Sequence, residues 1–276
     1  MGPALVYSLA PDVTAQLQRA YRQLTYLRNR WRYRTSIGGI DAEFAMTTPY
    51  EITRSTTFLG EEAVLEAFLD HLDGDEVVWD IGATVGTYSC FTAQKLSSGV
   101  VVGFEPEPAN ESRLRENLQR NASAATWQTS RFALSNVNER SSLAFDDTPS
   151  RRGQPGAGHY YLSDTGSIPV DCRRGADLIR RGYPAPDVLK IDVQGAEKHV
   201  LEGLGDALSD VEWIVAEVHL EKSHRYGYAA SAVRSFLEDA NFTVTDAGNP
   251  SVSRSSDVRH VFAHREGNGD GPTAGT

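Results

Sequence analysis

The sequence predicts an α/β protein, an open and mostly parallel sheet with helices on both faces, on three observations. Short apolar runs at 77–79, 100–104, 188–191 and 213–218 alternate with stretches of helical periodicity, the pattern of repeated strand-helix units. Two of these runs end in an acid followed by glycine, Asp80-Ile81-Gly82 and Asp192-Val193-Gln194-Gly195, so each strand leads into a tight turn and then a helix. At 276 residues, this regular alternation favours one large domain over two small ones.

Taken in order, Leu17, Tyr21, Leu24, Leu27 and Trp31 recur at helical spacing and place an apolar stripe on one face. The other positions carry Arg19, Arg22, Arg28, Arg30, Arg32 and Arg34 with no acid between them. Residues 17–34 therefore suit either packing against an acidic body or peripheral contact with an anionic membrane surface. After Gly38-Gly39, residues 40–58 read as irregular strand and loop, so residues 1–58 form an N-terminal segment ahead of a main domain at 59–265. Glu61 and Glu62 open a helix through Leu65, Phe68 and Leu72, with acids suited to its first turn.

Strand 77–81, a helix from Thr87 to Leu96, strand 100–104 and a helix from Pro108 to Arg120 follow. Strand three spans Thr126 to Phe132, and Ser141 to Phe145 reads as a further strand. The stretch 146–158, rich in glycine and proline and holding Arg151 and Arg152, reads as a mobile loop, placed to recognise an acceptor or equally serving as a plain surface hairpin. The fourth strand leads to a helix at 196–208, a fifth strand at 213–218 and a helix carrying Phe236 and Leu237. Segments 242–244 and 258–263 read as a closing antiparallel hairpin, and the polar tail 266–276 is expected to be disordered.

The net charge of −10 excludes general nucleic-acid binding, which needs a basic footprint. Charge is uneven: residues 1–60 hold seven arginines against four acids, and the rest of the chain carries the acidic excess. Only four basic residues are lysine, a bias shared by proteins adapted to high salt and by products of GC-rich genomes. Cys90 and Cys172 lie far apart and match no zinc spacing, so no metal site or disulfide framework is indicated and a reducing interior is expected. With no apolar run of about eighteen residues and no apolar signal core, the expectation is a cytoplasmic protein, with the inner membrane surface as its one peripheral option.

The first acid-and-glycine turn carries the cofactor chemistry. Gly82, Ala83 and Gly86 let backbone approach a ligand, and Thr87 and Tyr88 begin a helix whose N-terminus turns toward it. The spacing is not the G-x-G-x-x-G dinucleotide fingerprint, and Asp80 would repel a pyrophosphate while welcoming the ammonium and sulfonium end of S-adenosylmethionine. Glu105, followed by Pro106 at the tip of the second strand, suits the paired hydroxyls of a ribose. Phe132, Ala133 and Leu134, at the tip of the third, are placed to cradle an adenine. The cofactor predicted is S-adenosylmethionine; an NAD-dependent oxidoreductase and a non-catalytic cofactor-fold binding protein are the rival classes.

The strings Asp80-x-Gly-Ala-x-x-Gly-x-Tyr, Phe104-Glu-Pro, Leu189-Lys-Ile-Asp-Val-Gln-Gly-Ala-Glu and Val215-Ala-Glu-Val-His resemble the FkbM family of S-adenosylmethionine-dependent methyltransferases, over about Glu61 to His264. The resemblance implies a Rossmann-like class I methyltransferase fold, with a seven-stranded sheet and a terminal antiparallel strand pair. It also implies methylation of a hydroxyl oxygen, so the expected acceptor is a glycan, a lipid-linked saccharide or a small-molecule hydroxyl; carboxyl methyl-ester formation on a uronic acid is the close variant. Asp80, Gly82 and Gly86 match the family's cofactor loop, Glu105 its ribose acid, and Asp192, Gly195 and Glu197 its fourth-strand motif. Thr84 stands where the family usually has Asn and Gln194 where it usually has Glu; the second change removes a charge beside the acceptor and bears on substrate and metal preference.

Methyl transfer from a sulfonium is an in-line displacement, so the site must hold the acceptor oxygen behind the methyl carbon and take up a proton. Asp192 and His219, at the tips of neighbouring strands, are the candidates for acceptor binding and proton removal, where ligands gather in this topology. His219 reads equally as a hydrogen-bonded structural imidazole. Glu197 reads as an orienting or capping carboxylate, and Glu217 as a buried partner for Lys190.

Overall fold

A computed structural model describes residues 31–56, 60–122, 124–146, 151–246 and 257–265, together with Ala20, Leu24 and Leu27. The tail 266–276, residues 147–150 of the expected mobile loop and most of the arginine-rich segment lie outside the described residues. No helix among the described residues is long and apolar enough to cross a membrane.

The chain opens with an antiparallel hairpin, β1 (Trp31–Ile37) and β2 (Ile40–Met46), then α1 (Pro49–Thr56) and α2 (Glu62–Asp70). Alternating units follow: β3 (Val77–Ile81), α3 (Thr87–Lys95), β4 (Val100–Phe104), α4 (Pro108–Asn121) and β5 (Thr126–Ser130). Four short strands come next, β6 (Ala133–Leu134), β7 (Glu139–Phe145), β8 (Tyr160–Leu162) and β9 (Ile168–Arg173), then α5 (Gly175–Arg180). The chain closes with β10 (Val188–Ile191), α6 (Glu197–Leu204), β11 (Trp213–His219), α7 (Ser231–Asp239), β12 (Phe242–Asp246) and β13 (Val258–Arg265).

The seven-stranded sheet has the order β12-β13-β11-β10-β3-β4-β5. Its five strands from β11 to β5 are parallel, while β13 runs antiparallel to both β11 and β12. Each sheet face buries its own apolar layer. One holds Phe68, Phe91, Leu114 and Leu118 under α2, α3 and α4; the other holds Trp79, Phe104, Leu189, Leu201 and Leu237. Burying one such side chain is worth about 1.5–3 kcal/mol, so the parallel strands are anchored from both sides and their C-terminal tips are held at fixed positions.

Several elements depart from the sequence reading. Residues 31–34, expected on a helix, are strand: Tyr33, Thr35 and Ile37 point inward, while Arg32, Arg34 and Ser36 are exposed. That alternation of two was masked by the helical spacing upstream. Of the stretch 40–58, read as irregular strand and loop, residues 40–46 form a regular strand and 49–56 a helix. Phe44 packs against Phe91 inside the same core, and Asn117 and Asn121 of α4 give the β2 backbone partners, Asn117 Oδ1 accepting from Ala45 N at 2.9 Å and Asn121 Oδ1 from Glu43 N at 2.8 Å. Two asparagines thus stand in for a neighbouring strand. Strand three stops at Ser130, and Ala133–Leu134 joins a four-stranded sheet of order β6-β9-β7-β8, of which the sequence reading had only residues 141–145. The helix expected over 196–208 gives way after Leu204 to a 3-10 turn, because Gly205 has a positive φ of 55°.

Candidate active site

Four strand tips converge at one edge of the sheet. Asp80 lies inside β3, in register with Lys190 of β10, and is 1% exposed. Its Oδ2 accepts from Ser89 N at 3.0 Å and Ser89 Oγ at 2.6 Å, and its Oδ1 lies 3.3 Å from Lys190 Nζ. Burial would lower the Lys190 pKa, but Asp80 and Asp192 outweigh it and hold the ammonium above its ordinary value. The Asp80 carboxylate therefore braces α3 and Lys190 from within the protein and borders neither of the cavities described below.

Gly82 turns the chain beyond β3 with φ +81°, and a Cβ there would stand 1.8 Å from the Asp192 carbonyl oxygen, so only glycine lets the two tips meet. Gly82 N and Ala83 N both donate to Phe104 O, and Thr84 N donates to Glu105 Oε2 at 2.9 Å. Glu105 Oε1 accepts from Glu107 N, also at 2.9 Å. Burial outweighs these donors and pushes the Glu105 carboxyl up to about 7. Gly86 caps α3 with a left-handed backbone and packs on Leu114, where a Cβ would come within 2.6 Å; it borders neither of the two cavities described below.

Two adjoining cavities open between these tips. The larger, about 680 Å³, is lined by Glu105, Pro106, Phe132, Ala133 and Leu134, with Tyr160 and Tyr161 of the small sheet across from them. The smaller, about 410 Å³, is lined by Glu61, Ala83, Thr87, Tyr88 and Lys190. Arg54, Gly82, Thr84 and Asp192 border both. Burial would raise the Asp192 pKa, yet the charges of Lys190, His219 and Arg54 outweigh it and hold the carboxyl below its ordinary range. Gln194, in a left-handed conformation, donates from Nε2 to Asp192 Oδ1 at 3.0 Å and accepts from Lys222 Nζ at 2.5 Å. A glutamate there could not donate to Asp192, so the amide fits this position.

His219 is 1% exposed and borders neither cavity. Its Nδ1 lies 2.9 Å from Glu197 Oε1, which also accepts from Gly195 N, and its Nε2 lies 3.4 Å from Glu217 Oε1. Burial would lower its pKa, but the hydrogen bond to Glu197 and the neighbouring acids raise it. Glu217 faces His219 and His260, while Lys190 pairs with Asp80. Burial and repulsion from Asp192 and Glu61 push the Glu217 carboxyl up to about 8. Arg54, Glu61 and Lys190 were absent from the sequence-predicted site. Arg54 lies in a stretch read as irregular, and Glu61 looked like a helix-opening acid.

The residues present fit S-adenosylmethionine: an apolar wall for adenine, a buried carboxylate at ribose position, and a glycine ridge leading to the charged second cavity. A sheet of this order with these tips is the arrangement of the Rossmann-like class I methyltransferase fold. The chain belongs to the FkbM methyltransferase family, whose Methyltransferase FkbM domain matches residues 80–244. It is 32% identical over 184 residues to the hexuronic acid methyltransferase AglP of Haloferax volcanii, covering 66% of this chain and 72% of that protein. It is 29% identical over 218 residues to the 31-O-demethyl-FK506 methyltransferase FkbM of Streptomyces tacrolimicus, covering 69% and 81% respectively. Among solved structures, a precorrin-6y C5,15-methyltransferase from Geobacter metallireducens aligns with a TM-score of 0.44 at 17% identity, over 74% of this chain and 89% of that one. The protein is a methyltransferase and its cofactor is S-adenosylmethionine.

Proposed function

We propose that the chain methylates an oxygen of an acidic sugar in a glycan or lipid-linked saccharide. Arg54 carries this reading. Its guanidinium stands at the junction of both cavities, Nε donating to Gly156 O at 3.0 Å, and no carboxylate forms an ion pair with it among the described residues. A cation so placed suits a uronate carboxylate, the substrate class in the name of the Haloferax volcanii relative.

S-adenosylmethionine, when bound, supplies an electrophilic methyl carbon. Glu105 accepts hydrogen bonds from the ribose, and Phe132, Ala133 and Leu134 flank the base. Asp192, bordering both cavities, orients the acceptor oxygen and takes its proton. Its lowered pKa makes it a weak base, so orientation is its larger contribution. That weakness favours a second reading, transfer to the uronate carboxylate itself, which arrives ionised and needs no base. The burial of His219 away from the cavities favours it too. The acidic, lysine-poor composition supports work at high salt.

The test offers uronate-containing oligosaccharides and their neutral counterparts to the protein with S-adenosylmethionine, and detects the added CH₂ by mass spectrometry. Uronates are expected to be preferred, and Arg54→Gln to remove the preference, by about tenfold or more in kcat/KM. Equal methylation of neutral and acidic sugars by both proteins would end the acidic-acceptor reading. Lability of the product to mild alkali separates the ester from the ether.

A further inference from the structure

On the sheet face that carries the second cavity, a polar cluster draws on three separate parts of the chain. Glu61 precedes α2, Glu217 lies on β11, and His260 is the cross-strand neighbour of Glu217 on β13. The His260 side chain is 9% exposed, and its Nε2 has no hydrogen-bond partner. That atom points between two carboxylates, 3.7 Å from Glu61 Oε2 and 3.8 Å from Glu217 Oε2. These separations are too long for hydrogen bonds. They are close to the spacing of donors around a shared cation, since metal bonds of about 2.1 Å in tetrahedral geometry set ligand atoms about 3.4 Å apart. The ligand atoms of all three residues lie within 4.8 Å of one another.

The surroundings also call for positive charge. Glu61, Asp192 and Glu217 crowd together, and Lys190 is already engaged with Asp80. The Tyr88 hydroxyl donates to Glu61 Oε2 at 3.3 Å and orients it. On the other side, Glu217 also joins a triad with Asp192 and His219, whose imidazole is already hydrogen-bonded to Glu197.

We propose that Glu61, Glu217 and His260 bind a divalent transition-metal cation. An imidazole with two carboxylates suits Mn²⁺, Fe²⁺ or Zn²⁺ better than Mg²⁺, which prefers oxygen ligands and retained water. Because Glu61 also lines the second cavity, a cation bound there would lie beside that cavity and could hold an acceptor oxygen. Binding of the cation does not depend on which sugar is methylated; the positioning role rests on the acidic-sugar reading. Sequence spacing hides such a site, because its ligands stand at 61, 217 and 260.

The full-length protein, freed of metal with a chelator and dialysed, is titrated with Mn²⁺ while the electron paramagnetic resonance signal of the free ion is followed. One Mn²⁺ per chain is expected, with affinity lowered at least about tenfold in His260→Ala and separately in Glu61→Gln, and unchanged in His224→Ala, a substitution at an exposed histidine outside the cluster. Mn²⁺ is also expected to raise the melting temperature of the wild type and not of His260→Ala, while circular dichroism reports that each variant is folded. Two results overturn the proposal: no Mn²⁺ or Zn²⁺ binding by the wild type at millimolar concentration, or binding that survives in both His260→Ala and Glu61→Gln. Methyl transfer by a wild type that binds no cation would leave the acidic-sugar reading standing.

Discussion

Asp80 and Asp192 each precede a glycine of positive φ, and each has Lys190 within reach, at 3.3 and 3.9 Å. Yet one carboxylate faces protein and the other faces two open cavities. The cause is a shift of position along the strand. Asp80 is the fourth residue of β3, held in register beside Lys190, whereas Asp192 is the first residue beyond β10. A side chain within a covered strand is enclosed by its neighbours, while one past the tip looks out at the edge where ligands gather. Like motifs are therefore placed differently: the first turn is enclosed beneath the site, and the second faces the cavities.

The largest expected effect breaks this contrast directly. Asp80→Asn leaves Lys190 buried without its main counter-charge and is expected to cost about 3–5 kcal/mol of stability in denaturant melts. Asp192→Asn should melt close to the wild type and instead lower kcat/KM about a hundredfold. A reversed pattern would mean that the second turn is the structural one. Next in size is the pH response of Glu105. Its folded pKa of about 7 lies above the ordinary 4.5, so the stability it confers is fully present below about 4.5 and lost as pH rises through about 7. On the proposed role of Glu105, ribose binding uses the ionised form and should gain across that same upper range. Calorimetry with S-adenosylhomocysteine is expected to show affinity rising up to about tenfold from pH 6 to pH 8, and Glu105→Gln should flatten the profile. The smallest effect concerns Thr84, a β-branched residue held at φ 52°. Thr84→Asn relieves the left-handed strain and should stabilise the protein by about 0.5–1 kcal/mol with cofactor affinity unchanged, because only the backbone N–H of Thr84 contacts Glu105.

Much of this architecture was legible in the chain. The strands at 77–81, 100–104 and 213–219 are apolar runs bounded by turns, and period and length identify such elements locally. Glu105, Ala133 and Leu134 could be placed because strand order carries strand tips to one edge. The hairpin at 31–46 and the small sheet were hidden for a different reason. β1 is half-exposed and follows directly on a helix-spaced stripe, β2 takes backbone partners from the Asn117 and Asn121 side chains, and β6 of the small sheet pairs with β9 across two intervening strands.

The sequence by itself determined the fold class, the cofactor and the family, because each rests on contiguous motifs whose physics is local: a strand, an acid, a glycine turn, a helix start. The tertiary structure alone decided which acid faces the ligand, where Arg54 and Glu61 come to lie, and that His219 is enclosed while His260 faces two carboxylates. Exposure and charge pairing depend on what packs above a residue, and those neighbours stand tens to hundreds of positions away in the chain.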